Sequence, residues 1–228
     1  MNEGPKSTAS RAGLTAERIV DAAMALTEGR GLHTWSLRDL AKRLDVVPSV
    51  IYHHVGGKDE LCRRVAGRVT AGMERPDPEL EWQDWFRALL FPARARLAAY
   101  PGVAMWLVMH GPTFEHLAPT VDDGIAALQR AGFGERTGMA YAAILNSAVL
   151  TVAAADERLV HAEDGARDHA RIARDFERIG AGSPGMRVLT AVIDDVASGS
   201  GADAAGEYYR FVVDTVLAGL ERFAAADR

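Results

Sequence analysis

Between Pro48 and Lys58 the 228-residue chain gathers side chains suited to meeting a polyanion: Pro48, Ser49, Tyr52, His53 and His54, then Lys58 after a Gly-Gly pair. Serine, tyrosine and histidine donate or accept at phosphates and base edges, and apolar Pro48 or Val50 suits a thymine methyl. Lys58 can join the N-terminal amides of a following helix on a phosphate. A second gathering is apolar. Trp85, Leu89, Met105, Trp106, Met109 and Phe114, with the polar tip of His110, offer the large polarizable surface of a small-molecule site. His110 and His116 flank the Gly111-Pro112 break, where either can hydrogen-bond a ligand.

Other chemistry is poorly supplied. His161, Glu163, Asp164, Asp168 and His169 are metal-ligating types in a polar run without zinc or calcium spacing, so they read as a solvated face and no metal is expected. No G-x-S-x-G, G-x-G-x-x-G or P-loop pattern occurs. No catalytic residue, no cofactor and no enzymatic activity are expected. A purely structural helical dimer is the remaining contrast, and it does not require the Tyr52 and Lys58 pattern.

Short helices must position the first group. Thr15 can cap a helix with Ile19, Ala22, Ala23 and Leu26 on one face, ending at Gly29 and Gly31. Ser36 and Asp39 have capping-box spacing ahead of Leu37, Leu40, Ala41 and Leu44. Pro48 fits the first turn of the next helix, Gly56-Gly57 closes it, and Lys58 opens a fourth running toward Pro76. The pair Ser36–Leu44 and Pro48–His54 is a candidate helix-turn-helix. If Val46, Val50 and Ile51 pack inward, Pro48, Ser49, Tyr52, His53 and His54 are left facing out.

Longer helices follow: an apolar face from Trp82 to Leu97 that Pro92 is expected to kink or interrupt, a short segment Val103–His110, a helix from about Thr120 with Asp123 at capping spacing, and an Ala-rich helix from Glu135 to about Leu159. After Gly- and Ser-rich breaks flanking a helix near 186–197, a stripe of Tyr208, Phe211, Val212, Val216, Leu220 and Phe223 closes the chain. The small residues of Ala140–Ala154 permit close helix approach, and that stripe supplies a partner, so two copies are expected to meet there as a four-helix bundle. The predicted fold is all-α: a flexible arm over 1–12, a helix-turn-helix domain over 13–60, and a ligand-binding and dimerisation body over 61–228.

The net charge of −5 is unevenly spread. Residues 1–75 carry 12 Lys/Arg against 9 Asp/Glu, and the remainder 14 against 22. A mildly basic head on an acidic body suits DNA, because phosphate binding needs local charge only. The first thirteen residues lack the apolar core of a signal peptide, and no run of residues approaches eighteen uninterrupted apolar positions, so no membrane association and a cytoplasmic location are expected. The lone Cys62 fits a reducing compartment.

The run LTAERIVDAAMALTEGRGLHTWSLRDLAKRLDVVPSVIYHHVGGKDEL, from Leu14 to Leu61, resembles the DNA-binding domain of the tetracycline-repressor (TetR) family, most specifically in IYHHVGGKDEL. The segments EWQDWFRALL, GPTFEHLAP and LQRAGFGER are similar in order and spacing to the tetracycline-repressor subgroup. The resemblance implies a homodimer, each head reading half of a palindromic double-stranded DNA operator, and a body whose small-molecule effector changes the spacing of the heads. It further implies phosphate contacts by Tyr52 and Lys58 and an approach of Arg38 to DNA. Asp45 stands where the family commonly has glycine, and aspartate tolerates the left-handed turn that glycine serves. Where the founding member holds a magnesium–tetracycline complex on polar residues, this chain has Glu74, Leu89 and Leu107. A hydrophobic or polycyclic effector is expected instead.

Overall fold

The computed structural model describes residues 14–160, 174–175, 177–179, 182–190 and 204–224. The expected N-terminal arm, the His161–His169 run and positions 191–197 of the expected later helix lie outside these residues.

Local signals set the first helices. Helix α1 (Ala16–Arg30) starts at Thr15, whose hydroxyl accepts from the Arg18 amide at 3.2 Å, and it stops at Gly31. Helix α2 (Leu37–Leu44) has the full capping box: Ser36 Oγ accepts from the Asp39 amide at 3.2 Å, and the Asp39 carboxylate accepts from the Ser36 amide at 2.7 Å. Those bonds from Ser36 hold the Asp39 carboxyl below its usual range. Asp45 ends α2 in the left-handed region, at φ 53° and ψ 45°, the conformation expected of a residue standing in for glycine. Helix α3 (Pro48–Val55) opens with proline in its first turn, where a missing N–H leaves nothing unbonded.

Helix α4 (Lys58–Ala71) stops before the expected Pro76. Its last carbonyls need partners, and the Arg96 Nε donates to Val69 O at 3.2 Å. Arg75, just beyond, is drawn to Asp123. Helix α5 (Trp82–Ala98) continues through Pro92, and a turn at 99–102 leads into α6 (Val103–His110). A 3₁₀ turn (Glu115–Leu117) precedes α7 (Ala118–Arg130). Asp123 is therefore inside α7 rather than near its start, and its carboxylate makes a two-bond pair with Arg75 instead of capping. Helices α8 (Thr137–Val160) and α9 (Ala204–Ala224) follow, and the described residues contain no strand.

Ile19, Leu40, Ile51, Val55, Leu61 and Val65 close one end of a continuous core, and Trp85, Phe86, Leu128, Phe133, Ile144, Tyr209 and Leu217 fill the other. Full burial of such a side chain contributes about 1.5–3 kcal/mol. Trp35 completes the head by donating its indole N–H to Thr27 Oγ1 at 3.0 Å. The segment Gly134–Asp156 is long and apolar enough, by composition, to cross a membrane, with a mean hydropathy of 1.6. Its inner row of Ala140, Ile144, Ala148 and Val152 packs into the core against α6, α7 and α9.

Candidate functional site

The second helix of the helix-turn-helix turns two rows in opposite directions. Ile51 and Val55 are buried and Val46 and Val50 half-buried, while Pro48, Ser49, Tyr52, His53 and His54 are exposed, as the sequence pattern predicts. Tyr52 is 65% exposed, so its hydroxyl is free of the core. The rings of His53 and His54 meet edge to face at 6.0 Å. Arg38 is exposed on α2. The structure thus places six of the seven expected DNA-facing residues on accessible surface.

Lys58 is the exception and corrects the expected geometry. Its ammonium donates to Leu32 O at 2.7 Å and lies over the Trp35 ring, 2.7 Å from its centroid. Burial pushes it down from 10.5 to about 8, while the charges of Cys62, Asp39 and Asp59 favour the proton. The Lys58 side chain is thus turned into the head instead of out toward solvent. At the start of α4, Gly57 provides no side-chain cap, so the first amides of that helix have no side-chain acceptor at the cap position.

A cavity of about 570 Å³ opens in the body. Thr70 lines it from the end of α4, and Met73 and Glu74 from just beyond that helix; Leu89, Leu90, Ala93 and Leu97 from α5; Leu107 and Val108 from α6; His116, Leu117, Thr120 and Val121 from the 3₁₀ turn and α7; Tyr141, Leu145, Asn146 and Val149 from α8; and Tyr209 from α9. The walls are mainly aliphatic. Burial raises the Tyr141 phenol to about 12, and the Tyr209 hydroxyl donates to Leu90 O at 3.0 Å. Arg75 is at the margin, paired with Asp123.

Of the residues expected to line a ligand site, Leu89 does so; Trp85, Met105, Trp106, Met109, His110 and Phe114 do not. The rings stack on one another instead. His110 lies on Trp106 at 4.4 Å, Trp106 on Phe114 at 5.8 Å, and Phe114 on His116 at 5.5 Å. Trp85 is fully buried, edge to face with Phe86 at 5.0 Å, and its indole N–H has no hydrogen-bond partner. Met109 is 71% exposed. Helix α6 is apolar on every side, and it gives the cavity its Leu107 and Val108 side. The cavity does contain Glu74, Leu89 and Leu107, the three positions singled out by the family resemblance. His116, expected to meet a ligand, is on its wall. Thr70, Asn146, Tyr141 and Tyr209 carry no sequence signal, because three separate helices bring them together.

Residues 19–65 match the family model described as bacterial regulatory proteins, tetR family. The match covers helices α1 to α3 and the first half of α4, so the head carries a tetR-family helix-turn-helix domain on an all-helical body. The chain is 33% identical over 124 residues to the HTH-type transcriptional repressor DrrR1 of Streptomyces coeruleorubidus, a match covering 54% of this chain and 43% of that one. It is 26% identical over 152 residues to an HTH-type transcriptional regulator of Saccharopolyspora erythraea, covering 66% and 64%. The chain therefore spans less than two thirds of the length of either relative. The fold is also that of ActR from Streptomyces coelicolor, solved in complex with actinorhodin: TM-score 0.70, 20% identity, 95% of this chain and 100% of that one.

Proposed function

We propose that this chain is a homodimeric repressor that binds a palindromic DNA operator through α3 and the start of α4, and that a hydrophobic or polycyclic small molecule in the body cavity releases it. The observation that carries the reading is the pairing of an outward polar row on α3 with an aliphatic cavity that α4 itself helps to wall. Residues 13–60 act as the DNA-binding head and 61–228 as the body, with α4 joining the two. DrrR1 is named as a repressor, and ActR is seen with actinorhodin and with (S)-DNPA, a precedent for small-molecule occupants in this fold. A DNA partner puts the protein in the cytoplasm.

The dimer follows from surface chemistry. Met139 and Leu150 on α8, and Tyr208 and Phe211 on α9, are 68%, 45%, 42% and 68% exposed. Such rows on two helices packed against each other suit a four-helix interface with a second copy. An effector preferring the released conformation about a hundredfold supplies about 2.7 kcal/mol of bias, enough to change operator occupancy.

The test is fluorescence anisotropy on DNA from upstream of the protein's own gene, with wild type and Tyr52→Ala at fixed salt. Wild type binds a palindromic segment tightly, and Tyr52→Ala binds it more weakly across sequence variants because a phosphate contact is lost. Equal binding by the two proteins would rule out α3 as the docking helix.

A further inference from the structure

Thr70 and His116 meet on the cavity wall, one at the end of α4 and the other in the 3₁₀ turn before α7, with Thr70 Oγ1 and His116 Nε2 3.0 Å apart. The direction of that bond is decided by the threonine. Its hydroxyl also lies 3.0 Å from Ala66 O and 3.0 Å from Gly67 O, which can only accept, so its one proton points back into α4. The histidine is then the donor, with a proton on Nε2. Phe114 stacks on the imidazole and fixes its plane.

Resting on the reading of the cavity as an effector site, we propose that His116 is its specificity-determining donor. It selects polycyclic occupants that carry a carbonyl-type oxygen, which take the Nε2 proton in exchange for Thr70. The surroundings favour that chemistry. Leu89, Leu107, Leu145 and Val149 offer a broad aliphatic bed for fused rings. Arg75 is committed to Asp123, so no unpaired cation calls for an anionic ligand. A histidine N–H bonded to a threonine oxygen is satisfied in this structure, and an occupant lacking an acceptor gains nothing from it. An occupant that supplies an oxygen keeps the proton satisfied and frees Thr70 from the α7 side. The exchange links what fills the cavity to the end of α4, the helix that begins at Lys58.

The experiment compares 9-fluorenone with fluorene, which share a tricyclic frame and differ at the carbonyl, by equilibrium dialysis against the full chain. The variants are His116→Phe, which keeps the ring on Phe114, and Thr70→Val, which keeps the shape and removes the competing acceptor. Wild type prefers fluorenone. His116→Phe loses that preference by roughly two- to tenfold, the weight of one hydrogen bond, and Thr70→Val binds fluorenone tighter by a similar factor while fluorene is unchanged. A preference that survives in His116→Phe, or fluorenone binding that does not tighten in Thr70→Val, overturns the role of His116 and leaves the cavity as an effector site. Failure of wild type to bind either compound overturns the effector-site reading and this inference with it.

Discussion

The amide of Leu32 donates to the carbonyl of Pro101 at 2.8 Å, tying the loop after α1 to the turn before α6. The same Leu32 accepts the Lys58 ammonium on its carbonyl, and the next residue of the turn, Gly102, donates its amide to the buried Asp156 carboxylate of α8 at 3.1 Å. Head, α4 and body thus share a seam of hydrogen bonds, each with a main-chain group on at least one side. A main-chain contact of this kind leaves no trace in side-chain patterning.

Gly102 makes the seam possible. Its φ is 89°, and a Cβ there would lie 3.2 Å from Leu32 Cβ. Gly102→Ala is expected to lower stability by about 1–3 kcal/mol, from the left-handed backbone and the crowding together. Urea unfolding measures the loss, and hydrogen exchange at the Leu32 amide should rise with it. An unchanged midpoint would mean that the turn relaxes without cost.

Lys58 gives the head a pH dependence. Because burial lowers the folded value to about 8, the unfolded chain binds more protons than the folded one between about 8 and 10.5. Stability therefore rises with pH through that window, and the contribution is lost as pH falls through about 8. In urea titrations at pH 7.5 and 10, wild type should gain on Lys58→Met. Parallel behaviour of the two proteins would show that the ammonium spends its time in water, turned out of the Trp35 site.

The dimer face can be struck without touching the protomer core. Leu150→Arg and Phe211→Arg place charges on exposed rows of α8 and α9 and should give monomers by light scattering, with weakened operator binding. Ala148→Arg is a different experiment. Ala148 is fully buried within its own protomer, so that change unfolds the chain instead of separating two copies. Dimers that persist in both surface variants would move the interface elsewhere.

Gly124 on α7 is hemmed in by the wall behind the cavity. A Cβ there would come within 2.8 Å of Trp85 Cζ3 and of Tyr141 Cε2. Gly124→Ala should cost about 1–3 kcal/mol, and displacement of the Tyr141 ring into the cavity should weaken binding of 9-fluorenone. Calorimetric unfolding and the dialysis assay report the two effects separately. Full stability in the variant would show that Trp85 can retreat.

The head was the most legible part because its signals are local. Thr15, Ser36 with Asp39, and Pro48 each act within one turn of chain, and the inward choice of Ile51 fixed the outward choice of Tyr52, His53 and His54. Lys58 opens α4 as its sequence suggests, but the carbonyl of Leu32 and the ring of Trp35 that receive its ammonium are distant in the chain and give no local signal. The ligand wall was harder. Helix α6 is apolar all round, so periodicity selects no face, and the aromatic residues whose types suit a ligand satisfy one another by stacking. Asp123 carried a capping signal, but Arg75 on another element claimed it.

The tryptophans occupy different electrical surroundings, which makes the molecule its own optical instrument. Trp35 in the head lies beneath an ammonium and donates its N–H, Trp85 in the body is dry with its N–H unmatched, and Trp106 is pressed between His110 and Phe114. Indole emission moves with the charge and hydrogen bonding around the ring. Opening of the head and rearrangement of the body should therefore differ in colour, and single-tryptophan chains would time the two events separately without any attached dye.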